Sequence, residues 1–248
     1  YNGYLSKDFA YNATGYEAID PVKFTGDIVI DIKNESSYKS GAAGVNEIWT
    51  VEHGNIVKAF IYVPYNWFNG KLYIENETMF NVAFNGVNIT PVGFYRDQGN
   101  LGNYGKYGYG VVIYDVTDLI ATGDNTFNLT KVNPTPTVYP TALVYAYNVP
   151  ASGVVKTAYF LNGADLLSDD YNLAKRLVMA DTNITVDLSD ISDANLYVFA
   201  ASAQAGEGNI IVNDKVFENV WSGTTKTTDL YTVDITDVAT GFNDISFV

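Results

Sequence analysis

The hydrophobic and polar positions of the chain alternate in short runs separated by turn residues, the signature of strands rather than helices. Ile28, Ile30 and Ile32 alternate with Asp27, Val29, Asp31 and Lys33, which predicts a half-buried strand. Phe80, Val82 and Phe84 alternate with Asn81, Ala83 and Asn85 before an Asn85-Gly86 turn of the kind that joins antiparallel strands. Val57 to Tyr65 is instead a dense β-forming run, followed by a turn at Asn69-Gly70 and a short continuation at Leu72 to Ile74. The stretch from Asp169 to Met179 alone has a helical flavour, and Tyr1 to Pro21 reads as an extended lead-in.

One pattern occurs twice. YGVVIYDVTDLIATGDNTFNL at Tyr109 to Leu129 returns, shortened, as LYTVDITDVATGFNDISFV at Leu230 to Val248. In each copy a strand ends at an aspartate (Asp115, Asp234), Asp and Thr side chains cap one helical turn, a glycine (Gly123, Gly241) ends it, and an asparagine (Asn125, Asn243) starts the returning strand. Upstream, NVAFNG is matched by NIIVND, and Ala59 to Val63 by Ala194 to Val198. Asn85 and Asn213 lie 128 residues apart but Asp115 and Asp234 only 119, so the first copy carries nine extra residues between these points.

The expected fold class is therefore all-β, two consecutive antiparallel β-sandwich modules. The first spans residues 1–150 and the second, shorter one 151–248, with the turn Pro150 to Gly153 between them. Thr157 to Leu161, Ile184 to Leu188, Leu196 to Ala200, Asn209 to Val212, Leu230 to Ile235 and Ile245 to Val248 are the strands expected of the second module.

A formal charge of −14 argues against nucleic acid and anionic membrane as partners. Without cysteine the chain has no disulfide, thiol catalysis or thiolate metal site. No apolar run is long enough to span a bilayer, so no membrane insertion by this chain is expected. The chain begins at Tyr1 and is read as a processed or excised piece. Six N-x-S/T triplets, at Asn12, Asn34, Asn76, Asn88, Asn128 and Asn183, are glycosylation candidates of an exported protein, or accidents of a chain rich in Asn, Ser and Thr.

The segment Phe94 to Gly110, within VGFYRDQGNLGNYGKYGYG, reads as a long loop holding the extra residues. Tyr95, Arg96, Asp97, Asn103, Tyr104, Tyr107 and Tyr109 are its candidate ligand-binding residues. Tyrosine offers stiff apolar area with a hydroxyl, suited to the faces of sugar rings and to protein surfaces. The competing reading has these rings folding back over the sandwich edge. Tyr65, Trp67 and Phe68 form a second aromatic patch, read with Trp49 and Trp221 as core.

Asp165, Asp169, Asp170 and Asp181 supply oxygens of the kind calcium takes, in a spacing that matches no dedicated calcium loop; otherwise no cofactor is expected. His53 is the single histidine, in a turn before a strand, and no nucleophile, zinc or phosphate-loop motif is present. No catalytic residue is assigned and enzymatic activity is not expected.

The order strand, Asn-Gly, strand, then YDVTDLIATGDNTFNL resembles jelly-roll sandwiches of the galactose-binding type, including the sugar-binding domains of family-two glycoside hydrolases. IWTVEHGNIVKAFIYV, FNVAFNGVNI, VIYDVTDLIATGDNTFNL and PTALVYAYNVP, with the shortened repeat, together resemble an uncharacterised domain of methanogenic archaeal adhesin-like surface proteins. That resemblance implies an extracellular, cell-surface β-domain in non-covalent adhesion to a cell-surface glycan or protein of another cell. A structural stalk that extends a distal binding domain is the alternative.

Overall fold

The computed structural model describes residues 16–70, 72–98, 107–150, 153–167, 180–189 and 191–248. In chain order the strands are β1 (Glu17–Ala18), β2 (Val22–Phe24), β3 (Ile28–Ile32), β4 (Val45–Val51), β5 (Ile56–Asn69), β6 (Phe80–Phe84) and β7 (Val87–Ile89). There follow β8 (Gly93–Gln98), β9 (Tyr107–Asp115), β10 (Gly123–Lys131), β11 (Thr137–Val138) and β12 (Ala142–Tyr147). Beyond them come β13 (Lys156–Ala158), β14 (Leu161–Asn162), β15 (Ala180–Thr185), β16 (Asn195–Ala201), β17 (Ile210–Val212), β18 (Lys215–Phe217), β19 (Thr228–Asp234) and β20 (Phe242–Phe247). A single 3-10 turn at Glu35–Ser37 is the helical element among the described residues; the stretch expected to be helical, Asp169 to Met179, lies outside them.

The protein is all-β, with antiparallel sheets packed as sandwiches. A four-stranded sheet, β4-β10-β6-β7, faces a six-stranded one, β3-β12-β5-β9-β8, with β11 also on β5. Trp49, Phe84, Phe127 and Leu129 of the first meet Ile61, Val63, Val112, Tyr114 and Leu143 of the second. The six-stranded sheet is covered on its other face too: Phe60, Tyr62, Val111, Ile113 and Val144 pack with Phe160, and half-buried Ile28, Ile30, Ile32 and Phe199 close round them. Burial on both faces explains why β5 and β12 read as continuous apolar runs instead of alternating. It also places the Ile28, Ile30, Ile32 stripe on this outer face, with Val29 turned to the sandwich interior.

The later strands repeat the plan in reduced form. β15-β20-β17-β18 corresponds strand for strand to β4-β10-β6-β7, whereas β16-β19 stands where β5 and β9 stood, without flanking strands among the described residues. Ile210, Val212 and Ile245 pack with Leu196, Val198 and Tyr231 between the two sheets. β1, at the end of the lead-in, and β2, just after it, pair with β14 and β13.

In each repeated turn the aspartate caps as expected, whereas the threonine hydroxyl accepts from an amide outside the turn. Asp115 Oδ1 accepts from Thr117 N at 2.9 Å, Thr117 Oγ1 accepts from Ala59 N at 3.0 Å, and Ile120 N reaches Val116 O at 2.9 Å. In the second copy Asp234 Oδ1 accepts from Thr236 N at 2.8 Å and Thr236 Oγ1 from Ala194 N at 2.9 Å. Gly123 has φ +95°, but Gly241 lies outside the left-handed region, in keeping with a turn one residue shorter. Leu72 to Ile74, expected to continue a sheet, is instead an exposed turn.

Candidate functional site: an aromatic cluster at a bulge in β5

The segment Phe94 to Gly110 is not simply a loop. Residues 93–98 form β8, which pairs with β9 from Gly93↔Ile113 to Gln98↔Gly108. Its glycines serve close approach: a Cβ on Gly108 would overlap the Glu75 carboxylate, and one on Gly110 the carbonyl oxygen of Tyr95. Of the candidate residues in this segment, Asn103 and Tyr104 lie outside the described residues. Asn12, Asp169 and Asp170 do too.

Opposite β9, the register of β5 shifts between Tyr65 and Phe68, and Trp67 at the shift has φ +59°. A bulky residue in the left-handed region costs backbone energy and persists where the surroundings hold it. Here the bulge turns the Trp67 ring towards two of the candidate tyrosines. Its centroid is 5.2 Å from that of Tyr107, edge-on at 77°, and 5.7 Å from that of Tyr109. Trp67 and Tyr107 are half-buried and Tyr109 is buried.

Alternation along β8 divides the other candidates. Tyr95 and Asp97 share the outer face with Tyr109 and are buried; the Tyr95 hydroxyl donates to Glu17 Oε2 at 2.8 Å, and Asp97 Oδ2 accepts from Leu166 N at 2.8 Å. Burial, with the Glu17 carboxylate beside it, pushes the Tyr95 hydroxyl up to about 12. Arg96 points the opposite way, where its Nη1 donates to Glu75 Oε2 at 3.1 Å and the Tyr65 hydroxyl donates to Glu75 Oε1 at 2.7 Å. Burial raises the Glu75 carboxyl above its ordinary range, and the Tyr65 and Arg96 bonds oppose the rise.

Beside Trp67, Asn66 is buried; its Nδ2 donates to the Tyr139 hydroxyl at 2.7 Å, and its Oδ1 has no partner. Asn66, Trp67, Asp97, Tyr109 and Tyr139 line a cleft of about 2400 Å³ together with Phe199 and Trp221. The arrangement offers ring faces, an orphaned amide oxygen and the buried Asp97 carboxylate to a large ligand. The sequence reading put Trp67 in a core patch and did not single out Asn66 or Glu75. The one signal for the first two was an Asn-Trp pair directly after Pro64 and Tyr65 in a run otherwise regular enough to be a strand.

The remaining candidates are dispersed. Asp165 and Asp181 belong to separate segments, and among the described residues no three His, Asp or Glu side chains are grouped to hold a metal ion. Asn34, Asn88, Asn128 and Asn183 are exposed, whereas Asn76 is half-buried in a turn where its Oδ1 accepts from Thr78 N at 3.0 Å. His53 stacks on Tyr147 at 3.9 Å with Nδ1 3.2 Å from the Tyr145 hydroxyl, a packing role. Trp49 is fully buried and Trp221 half-buried. No helix among the described residues is long and apolar enough to cross a membrane.

No curated protein matches the chain. Among solved structures, one similar chain is the crystal structure of Streptomyces avermitilis alpha-L-rhamnosidase complexed with L-rhamnose, at 15% identity and a TM-score of 0.26. The match covers 87% of this chain and 22% of the rhamnosidase, so the chain spans about a fifth of that enzyme's length. Residues 13–247, nearly the whole chain, match the family described as Protein of unknown function (DUF3344), and the chain belongs to that family.

Proposed function

We propose that the chain is an extracellular module of an adhesin-like cell-surface protein, of the methanogenic archaeal type it resembles, and that it recognises a cell-surface glycan or protein without making or breaking a bond. The observation that carries this reading is Trp67, held at φ +59° by a bulge and set against Tyr107 and Tyr109. Strained backbone is kept where it serves a site, and a cluster of stiff rings beside the buried Asn66 amide and Asp97 carboxylate suits sugar faces and protein side chains alike. The exposed asparagines of four sequons and the acidic composition agree with an exported, soluble surface.

The test is binding of the purified chain to a cell-wall glycan array and to whole cells, compared with Trp67→Ala/Tyr107→Ala. Binding lost by a variant whose melting temperature stays within a few degrees supports the reading. Equal binding by both proteins moves the site elsewhere.

The structural stalk is the second reading, favoured by the covering of the six-stranded sheet on both faces and by the pairing of residues 17–24 with 156–162. A chain that binds no glycan and no cell would leave that role in place.

A further inference from the structure

Asparagine is disfavoured inside strands, because its short amide competes for the backbone instead of packing on a pleated surface. Where this fold uses asparagine, the use is visible. Asn85, Asn125, Asn213 and Asn243 each donate to a carbonyl of a repeated turn. Two sequon asparagines are explained in the same way: Asn34 Oδ1 accepts from Ser36 N at 3.0 Å and Asn76 Oδ1 from Thr78 N at 3.0 Å, each capping a short turn. Asn88, Asn128 and Asn183 have no such use. Each lies exposed within a strand, in β7, β10 and β15. Among the described residues neither their side chains nor the hydroxyls of Thr90, Thr130 and Thr185, two residues on, make a hydrogen bond.

The three share one kind of surface. β7 and β10 belong to the four-stranded sheet whose inner face packs on the six-stranded one, and β15 belongs to its counterpart in the second half. Strand alternation turns the asparagine and the threonine of an N-x-T triplet to the same face. In the first sheet, pairing sets Asn46, Asn128, Ala83 and Asn88 in one row across β4, β10, β6 and β7, with Thr130 beside Asn81 in the next row. Asn128 and Asn88 flank Ala83 at two strand spacings, roughly 9–10 Å apart, and the small alanine leaves the space between them open. On a chain of net charge −14, the outward positions Asn46, Ile48, Thr50, Asn81 and Thr126 add no charge, and Asp124 is the charged exception. Such a face can stack on another of its kind; a bulky hydrated group prevents that.

We propose that the outer faces of the two corresponding four-stranded sheets bear glycans, with an N-linked sugar on Asn88 and Asn128 in the first and on Asn183 in the second. Modification of this kind rests on the export that the proposed function entails, and not on the Trp67 cluster. The donor is a sugar joined through its anomeric carbon to the phosphate of a lipid carrier. Nδ2 bonds to that carbon as the C–O bond to phosphate breaks; the nitrogen gives up one proton to a base of the transferase, and the phosphate leaves on its lipid. Because Nδ2 of these residues holds no partner, the fold loses nothing by the exchange. The sugars on Asn128 and Asn88 then stand side by side over Ala83, with the amides of Asn46 and Asn81 next to them to meet their hydroxyls.

The test is peptide mass spectrometry of the chain recovered from the outside of the cells that make it, with cell fractionation as a second measurement. The expected result is at least one sugar residue on each peptide that contains Asn88, Asn128 or Asn183. Thr90→Val and Thr130→Val spoil the triplets but keep the asparagines, and should abolish the sugar at Asn88 and Asn128 respectively. Made without sugar in a cytosolic host, the same variants should melt within a few degrees of the parent, since the two hydroxyls make no bond. An exported chain that is bare at any of the three asparagines, or a sugar on Asn128 that persists in Thr130→Val, overturns the proposal. A chain found only in the cytoplasm overturns the export reading, and the modification falls with it.

Discussion

Asn85 and Asn125 are joined side chain to side chain, Nδ2 of the first lying 2.8 Å from Oδ1 of the second. Asn213 makes the corresponding bond to Asn243 at 3.2 Å. Asn125 also accepts from Ala121 N at 2.9 Å and donates to Ala121 O at 2.7 Å, so one fully buried amide ties the repeated turn to the neighbouring hairpin. Asn125→Ala would strand several partners at once. Each buried polar group left unsatisfied costs about 1–3 kcal/mol, and urea denaturation should show a loss of at least ~3 kcal/mol. Asn125→Asp, which turns a carboxylate oxygen against the carbonyls of Ala121 and Gly123 in a fully buried position, should lose at least as much at neutral pH.

Gly108→Ala should act at a distance from any helix or turn. The added methyl meets the Glu75 carboxylate and must expel it from the bonds to Tyr65 and Arg96. A melting temperature unchanged from the parent would show that Glu75 moves freely and that the triad contributes nothing. The expected result is a drop of several degrees, the scale of about 1–2 kcal/mol in a domain of this size.

Glu47 gives a pH-dependent prediction. It is buried between the sheets with Oε1 unpartnered and Oε2 accepting from Thr141 Oγ1 at 2.5 Å, and burial raises its carboxyl above the ordinary 4.5. A raised folded value means that the native state holds the proton more tightly, so stability falls as pH climbs from 4.5 through the folded value. Glu47→Gln keeps an acceptor for Thr141 and removes the charge. It should melt higher than the parent at pH 7.5 and show little or no gain at pH 4.

Asp115 has the opposite sign. Although burial raises its carboxyl, bonds from Lys58 at 2.5 Å and from Thr117 outweigh that and hold it below 3.8. The stability it contributes is present above 3.8 and lost as pH falls through the lower folded value. Asp115→Asn should therefore flatten part of the acid unfolding curve. Asp234→Asn should change it less, because that aspartate is fully exposed.

The repeated turn was legible because much of its physics is local: the aspartate caps an amide two residues on and the asparagine binds the turn just before it in both copies, although each threonine reaches an amide far along the chain. The β8–β9 hairpin was hidden. Gly93, Gly108 and Gly110 read as loop residues, yet they are present because the Tyr95 ring, Glu75 and the Tyr95 carbonyl stand where a Cβ would go. Such close approach is a tertiary fact. The pairing of Trp67 with Tyr107 and Tyr109 was equally hidden, since Trp67 reaches them through a register shift that leaves no mark in the alternation. Tyr107 and Tyr109 themselves could be named as candidates, but their partner could not.

The pairing of β1 with β14 and β2 with β13 has a mechanical meaning. Glu17 lies opposite Asn162 and Phe24 opposite Lys156, so the strands entering and leaving the first sandwich run antiparallel, fastened further by Gly26 N to Tyr147 O at 2.9 Å. Tension applied at residues 16 and 163 must first peel these short pairs apart, one rung at a time. Only then does it reach the residues between, including the sandwich core. Pulling would release the clasp at low force, pay out little chain and leave the large sheet intact, as a fuse protects the circuit behind it.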